Sequence, residues 1–67
     1  MQHTIDATAI WRSGRTQAGR AKAAKVLSAD NAMDALASGV DPVFVQRDDA
    51  PRVLAWVRAY ATRGEMG

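Results

Sequence analysis

The stretch GRTQAGRAKAAKVLSADNAM, residues 14–33, decides the fold that the sequence predicts, because it spans the junction between two candidate helices. Residues 15–27 consist mainly of strong helix formers, so we expect a first helix there. Its apolar side would consist mostly of Ala and would bury little area. Ser28 suits the N-cap of a second helix, which should end near Gly39.

A third helix is the clearest element in the pattern. Asp48 or Asp49 would cap it, Pro51 would occupy its first turn, and Gly64 would end it. The positions expected to face inward lie on one arc of this helix: Val53, Leu54, Val57, Tyr60 and Ala61.

Two further segments are expected to be extended. Residues 3–11 alternate in a way typical of a strand, but Asp6 could equally cap a short helix, and both interpretations stay open. Residues 42–46 form a short buried strand or a hydrophobic linker. We therefore predict a mainly α, possibly α+β, fold: a small three-helix domain with short extended segments near 3–11 and 42–46 that can pair as a ribbon. It should form one small domain over residues 1–67, frayed at both ends.

The composition limits the hydrophobic core. Of the 67 residues, 48% are hydrophobic, but fourteen of these are Ala, and the chain contains no Cys. A domain of this size removes only about 60% of its unfolded surface from water, and small cores usually need a crosslink or a partner. Without Cys, disulfides and thiolate metal sites are excluded, and His3 alone cannot form a histidine cluster. Association with a second copy or with another macromolecule is the remaining route to stability.

Charge is distributed unevenly along the chain. The net charge is only +2, yet residues 12–25 carry +5 and residues 26–49 carry −4. No acidic residue occurs from position 7 to position 29, whereas ordinary surface helices mix both signs. Such a basic surface would contact phosphates without sequence preference, although a solvated helix face is the simpler interpretation. The candidate phosphate-contacting residues are Arg12, Arg15, Lys22 and Lys25.

Residues 16–39, TQAGRAKAAKVLSADNAMDALASG, resemble the helix-turn-helix of Cro-type and related phage repressors. The pattern of that family runs T-Q-x-x-L-A-x-x-x-G-V-S, and the residues that match it in type are Thr16, Gln17, Ala21, Val26, Ser28 and Gly39. The resemblance implies a dimeric DNA-binding transcriptional regulator that uses residues 16–36. In that arrangement residues 28–35 would read bases, and Asn31 would contact adenine.

No catalytic signature stands out. Asp48 and Asp49 are the only adjacent carboxylates, and their place before a proline-started helix favours capping over acid–base chemistry. His3 has no positioned nucleophile or acid near it in the sequence. Gly14 and Gly19 lack the spacing of a phosphate-binding loop. We therefore expect binding without enzyme activity, cofactor, metal or small-molecule substrate.

Aromatic and arginine residues form a stripe along the edge of the third helix: Arg52, Trp56, Tyr60 and Arg63. These residue types often carry the energy of protein interfaces, although Trp56 and Tyr60 could instead seal the rim of a small core. The main hypothesis is a small non-enzymatic regulatory or inhibitor protein that binds another protein, and the alternative is the helix-turn-helix regulator. No apolar run is long enough to span a bilayer and no leader opens the chain, so we expect a cytoplasmic protein.

Overall fold

The computed structural model describes residues 5–21 and 25–62, which form an α+β arrangement. Strands β1 (Ile5–Ile10) and β2 (Thr16–Ala21) form a hairpin, and the short strand β3 (Val26–Leu27) precedes helix α1 (Ala29–Ser38). Strand β4 (Val43–Gln46) leads through a 3-10 turn (Arg47–Asp49) into helix α2 (Ala50–Thr62). The predicted mainly α, three-helix fold is therefore wrong. The predicted fraying concerns the two ends, 1–4 and 63–67, which lie outside the described residues.

A tight turn joins β1 to β2. Gly14 adopts a left-handed φ of 87°, which costs a glycine little because it has no Cβ. The N–H of Gly14 donates to the carbonyl oxygen of Trp11 at 2.8 Å, and the N–H of Trp11 donates to the carbonyl oxygen of Arg15 at 3.0 Å. This geometry sets the hairpin register, in which Ile10 lies opposite Thr16.

The prediction of a first helix over residues 15–27 is wrong, because residues 16–21 form β2 and residues 26–27 form β3. Helix preferences of its residues differ by less than about 0.7 kcal/mol each, Gly apart, and its narrow Ala face would bury little area. Pairing β2 with β1 over six residue pairs provides hydrogen-bond partners for the main-chain groups of the two strands that face each other. That pairing depends on a second segment of the chain, so it cannot be inferred from the helix and strand preferences of residues 15–27 alone.

The four strands form one mixed sheet in the order β2-β1-β4-β3. Strand β1 is antiparallel to both β2 and β4, and β3 is parallel to β4. The predicted pairing of the extended segments near 3–11 and 42–46 is confirmed, since Ile10 lies opposite Val43. The open choice at the first of these segments is settled in favour of a strand over residues 5–10.

Both helices pack on one face of the sheet, and the hydrophobic core lies between the helices and that face. Its largest members are at most 2% exposed: Ile10, Val43 and Val45 from the sheet, and Leu36, Val53 and Val57 from the helices. Side chains alternate along a strand, so the opposite face carries Ala7, Ala9 and Phe44. We call this second face, which neither described helix covers, the open face.

The second and third predicted helices are confirmed as α1 and α2. Ser28 caps α1 by accepting a hydrogen bond from the N–H of Asn31 at 3.3 Å. Gly39 ends α1 with a φ of 107°, and its N–H donates to the carbonyl oxygen of Leu36 at 3.1 Å. Asp48 and Asp49 lie in the turn before α2, whereas Gly64 falls outside the described residues. In the described part of the chain, neither helix combines the length and the hydropathy that crossing a membrane requires.

Candidate interaction surface

The open face carries a shallow groove of about 300 Å³ above β1 and β2, which we call the open-face groove. Its lining is mostly small or apolar: Ala7, Ala9, Gly19, Ala18, Trp11, Pro42 and Phe44, with Gln17 and Arg20 at the β2 side. Ala7 and Ala9 are only 4% and 6% exposed but do not belong to the core between sheet and helices. Larger neighbouring side chains therefore shelter an apolar floor on the side of the sheet away from the helices.

The strand register explains which side chains border this groove. Ala9 lies opposite Gln17 on one side and Phe44 on the other, and residues opposite each other in a sheet share a face. Ala7 lies opposite Gly19 on that same face. Two small residues, Ala7 and Gly19, therefore lie side by side in this groove.

The surroundings of Gly19 give no reason why the fold would need a glycine at this position. Gly19 lies in the middle of β2 with an ordinary backbone conformation, and a Cβ built on it would meet nothing within 4 Å. A glycine inside a strand weakens the strand and often marks a place where another molecule approaches closely. The open space above Gly19 is part of the open-face groove.

Strand β2 forms one edge of the sheet. Its residues Thr16–Arg20 are exposed, and no described residue pairs with its outer side. Because the N–H of Trp11 bonds to Arg15, alternation along the ladder turns the odd-numbered residues of β2 toward β1. The outward main-chain donors and acceptors are therefore those of Thr16, Ala18 and Arg20. Such an edge can pair with another chain.

Basic side chains surround the hairpin. Arg12 and Arg15 are exposed in the turn, and the guanidinium of Arg15 lies 5.1 Å from the centroid of the Trp11 ring. Arg20 reaches Asp6 on β1 at 4.0 Å, but both side chains are more than 60% exposed, so this pair contributes little to stability. The N–H of Arg12 donates to the carboxylate of Asp41 at 2.9 Å. The turn and the outer strand thus present arginines that are available to a partner.

The other residues predicted to contact nucleic acid are not gathered at the hairpin. Lys25 is exposed just before β3, at the opposite edge of the sheet from β2. Asn31 is exposed in the first turn of α1, and Lys22 falls outside the described residues. The predicted basic helix face therefore does not form. The helix-turn-helix resemblance would need its first helix where β2 lies, and only its second helix has a counterpart, in α1.

The predicted stripe on the third helix is partly assembled on α2. The rings of Trp56 and Tyr60 are in contact, both are half-buried, and Trp56 packs against the core. Arg52 extends toward Asp30 of α1 at 3.5 Å, and Arg63 falls outside the described residues. The aromatic pair therefore closes the edge of the core. Whether it also binds a partner stays a prediction.

The open-face groove was missed by the sequence interpretation. The alternation of Ala7, Ala9 and Trp11 was visible, but Gly19 and Phe44 join them only through strand pairing. None of the protein-family models, curated proteins or solved structures with which the chain was compared matches it.

Proposed function

We propose that this protein is a small, non-enzymatic regulatory or inhibitor protein of the cytoplasm that acts by binding another protein. The observation that supports the proposal most is strand β2, which lies at an edge of the sheet with its side chains exposed from Thr16 to Arg20. Exposed edge strands bind partners readily, and proteins that do not use them usually protect them.

The small core supports the same proposal. Its fully buried large side chains are Ile10, Leu36, Val45, Val53 and Val57, and the other buried members of the core are Val43 and three Ala. A core of this size seldom supplies more than about 3–5 kcal/mol of stability. Binding to the folded state adds to that stability by mass action. A partner that covers β2 would therefore stabilise this protein, and this protein would in turn regulate the partner.

A DNA-binding regulator is the second candidate, and the exposed arginines of the hairpin favour it. Arg12, Arg15 and Arg20 are exposed on the β1–β2 hairpin at one side of the sheet, and paired strands can enter the major groove of DNA. This mode differs from the helix-turn-helix that the sequence suggested, because it uses β1 and β2. Asp6 and Asp41 lie beside these arginines and would weaken phosphate contacts.

Site-specific photocrosslinking in living cells of the source organism tests the proposal. A photoreactive amino acid replaces Gln17, at the rim of the open-face groove, or Ala37, an exposed control position on α1. We expect one discrete protein adduct from position 17 and none from position 37. The protein identified by mass spectrometry should then bind the purified chain in a titration.

The second candidate has its own readout in the same set of experiments. Absence of any protein adduct at position 17 would overturn protein binding through β2. Binding to duplex DNA that weakens steeply between about 50 mM and 200 mM salt would instead support the DNA-binding alternative.

A further inference from the structure

We propose that β2 accepts an extended, acidic segment of the partner protein as a fifth strand, and that one aromatic side chain of this segment occupies the open-face groove above Gly19. The inference rests on the proposed function and adds to it the site, the binding mode and the chemistry of the partner.

The outward main-chain groups of β2 favour a peptide as the occupant. Thr16, Ala18 and Arg20 direct both N–H donors and carbonyl acceptors away from β1. Another peptide main chain satisfies donors and acceptors alike, whereas phosphate groups only accept hydrogen bonds. Edge strands are usually protected by Pro or by charged side chains. Strand β2 has no Pro and carries a single charged residue, Arg20.

Charge favours a partner segment over a second copy of this chain. Residues 12–21 contain three Arg and no acidic residue. If two copies paired along β2, no pair of opposite charges could form between the two segments, because neither copy carries an acidic residue there. Acidic residues on an incoming segment would instead lie near these exposed arginines.

The groove predicts one aromatic residue in the segment. A strand that pairs with β2 places a side chain beside Gly19 on the open face, where a Cβ on Gly19 itself would meet nothing within 4 Å. Aromatic side chains across from a strand glycine are known to cover it. Trp11 and Phe44 line the same groove and would give that ring aromatic neighbours.

Peptide selection against the full-length protein tests this inference. A library of short random peptides is selected on the immobilised protein, and the most enriched peptide is synthesised with a fluorescent label for anisotropy titrations. We expect enrichment of Asp and Glu on both sides of one Phe, Tyr or Trp. In the peptide, N-methylation of the alternate residues whose N–H groups face β2 should weaken binding by about tenfold or more. N-methylation of the other alternate set should have little effect.

Two substitutions to Val form a matched pair for the same titrations. Gly19→Val fills the groove and should weaken peptide binding by about tenfold or more, although Val suits a strand and should not lower the melting temperature. Ala37→Val also introduces a Val, but at an exposed position of α1 that belongs neither to β2 nor to the open-face groove. It should leave binding within about twofold of the original protein.

Three results would overturn the inference. These are enrichment of basic or purely aliphatic peptides, equal sensitivity to N-methylation of both alternate sets, and undiminished binding by Gly19→Val. If position 17 still crosslinks to one protein in cells, the proposed function survives and only the fifth strand is rejected. If neither crosslinking nor peptide selection succeeds, both are rejected.

Discussion

Trp56 and Tyr60 lie one helical turn apart on α2, with ring centroids 4.5 Å apart and ring planes inclined at 44°. Trp56 packs against the core, and Tyr60 extends this packing through the ring contact. Tilted aromatic pairs contribute about 0.5–1.5 kcal/mol beyond the area that they bury.

Tyr60→Ala should therefore lower the free energy of unfolding by about 1–2 kcal/mol. Urea unfolding followed by Trp fluorescence measures this loss. Ala61→Ser, at the next and exposed position of α2, is the control and should have little effect. A loss below about 0.5 kcal/mol would mean that the ring contact is not a stabilising one.

Two valines that differ in burial test where the core lies. Val53 is 0% exposed between α2 and the sheet, whereas Val40 is 51% exposed after α1. Val53→Ala should cost about 2–3 kcal/mol, a large share of the stability of so small a domain. Val40→Ala should change it by less than about 0.5 kcal/mol. Thermal unfolding followed by circular dichroism compares them, and similar melting temperatures would contradict the core assignment.

Two serines test the start of α1. Ser28 accepts a hydrogen bond from the N–H of Asn31, while Ser38 is exposed at the other end of the helix. Ser28→Ala should cost about 1 kcal/mol because an N–H of the first turn loses its partner. Ser38→Ala should be nearly neutral. Equal effects of the two substitutions in chemical denaturation would show that the cap does not stabilise the helix.

Two glycines should respond to Ala with opposite signs. Gly39 has a φ of 107°, where a Cβ is strained, so Gly39→Ala should destabilise the protein by about 1 kcal/mol. Gly19 has an ordinary strand conformation and open space around it, so Gly19→Ala should stabilise by about 0.5 kcal/mol. Differential scanning calorimetry of both variants gives the two shifts. A destabilising Gly19→Ala would show that the fold itself needs this glycine.

The helices could be predicted because their signals are local. Ser28 and Gly39 bound α1 through hydrogen bonds that span at most four residues, and α2 repeats its apolar positions at helical spacing. On the predicted inward arc, Val53 and Val57 are fully buried and Leu54 and Tyr60 half-buried, but Ala61 is exposed. Position on a helix thus predicts burial only as far as the sheet extends beneath it.

The candidate site could be predicted only in part. Arg12 and Arg15 were identified from charge alone, and they do lie exposed beside the edge strand. Phe44 and Gly19 were not identified, because they are 25 positions apart in the chain. Only the pairing of β1 with both β2 and β4 brings them to one groove.

The amino-acid sequence by itself determined that this is a small chain without Cys, with a poor core, a basic first half and two helices, the first of them capped by Ser28 and Gly39. The tertiary structure alone decided that residues 16–21 are a strand, that the described strands form one four-stranded sheet, and that β2 lies at an edge of it beside an open face. The physical reason is that helix hydrogen bonds close within four residues, whereas each strand obtains its hydrogen bonds from a distant segment. Most of residues 16–21 are good helix formers, but the main-chain groups that face β1 gain their partners from that strand.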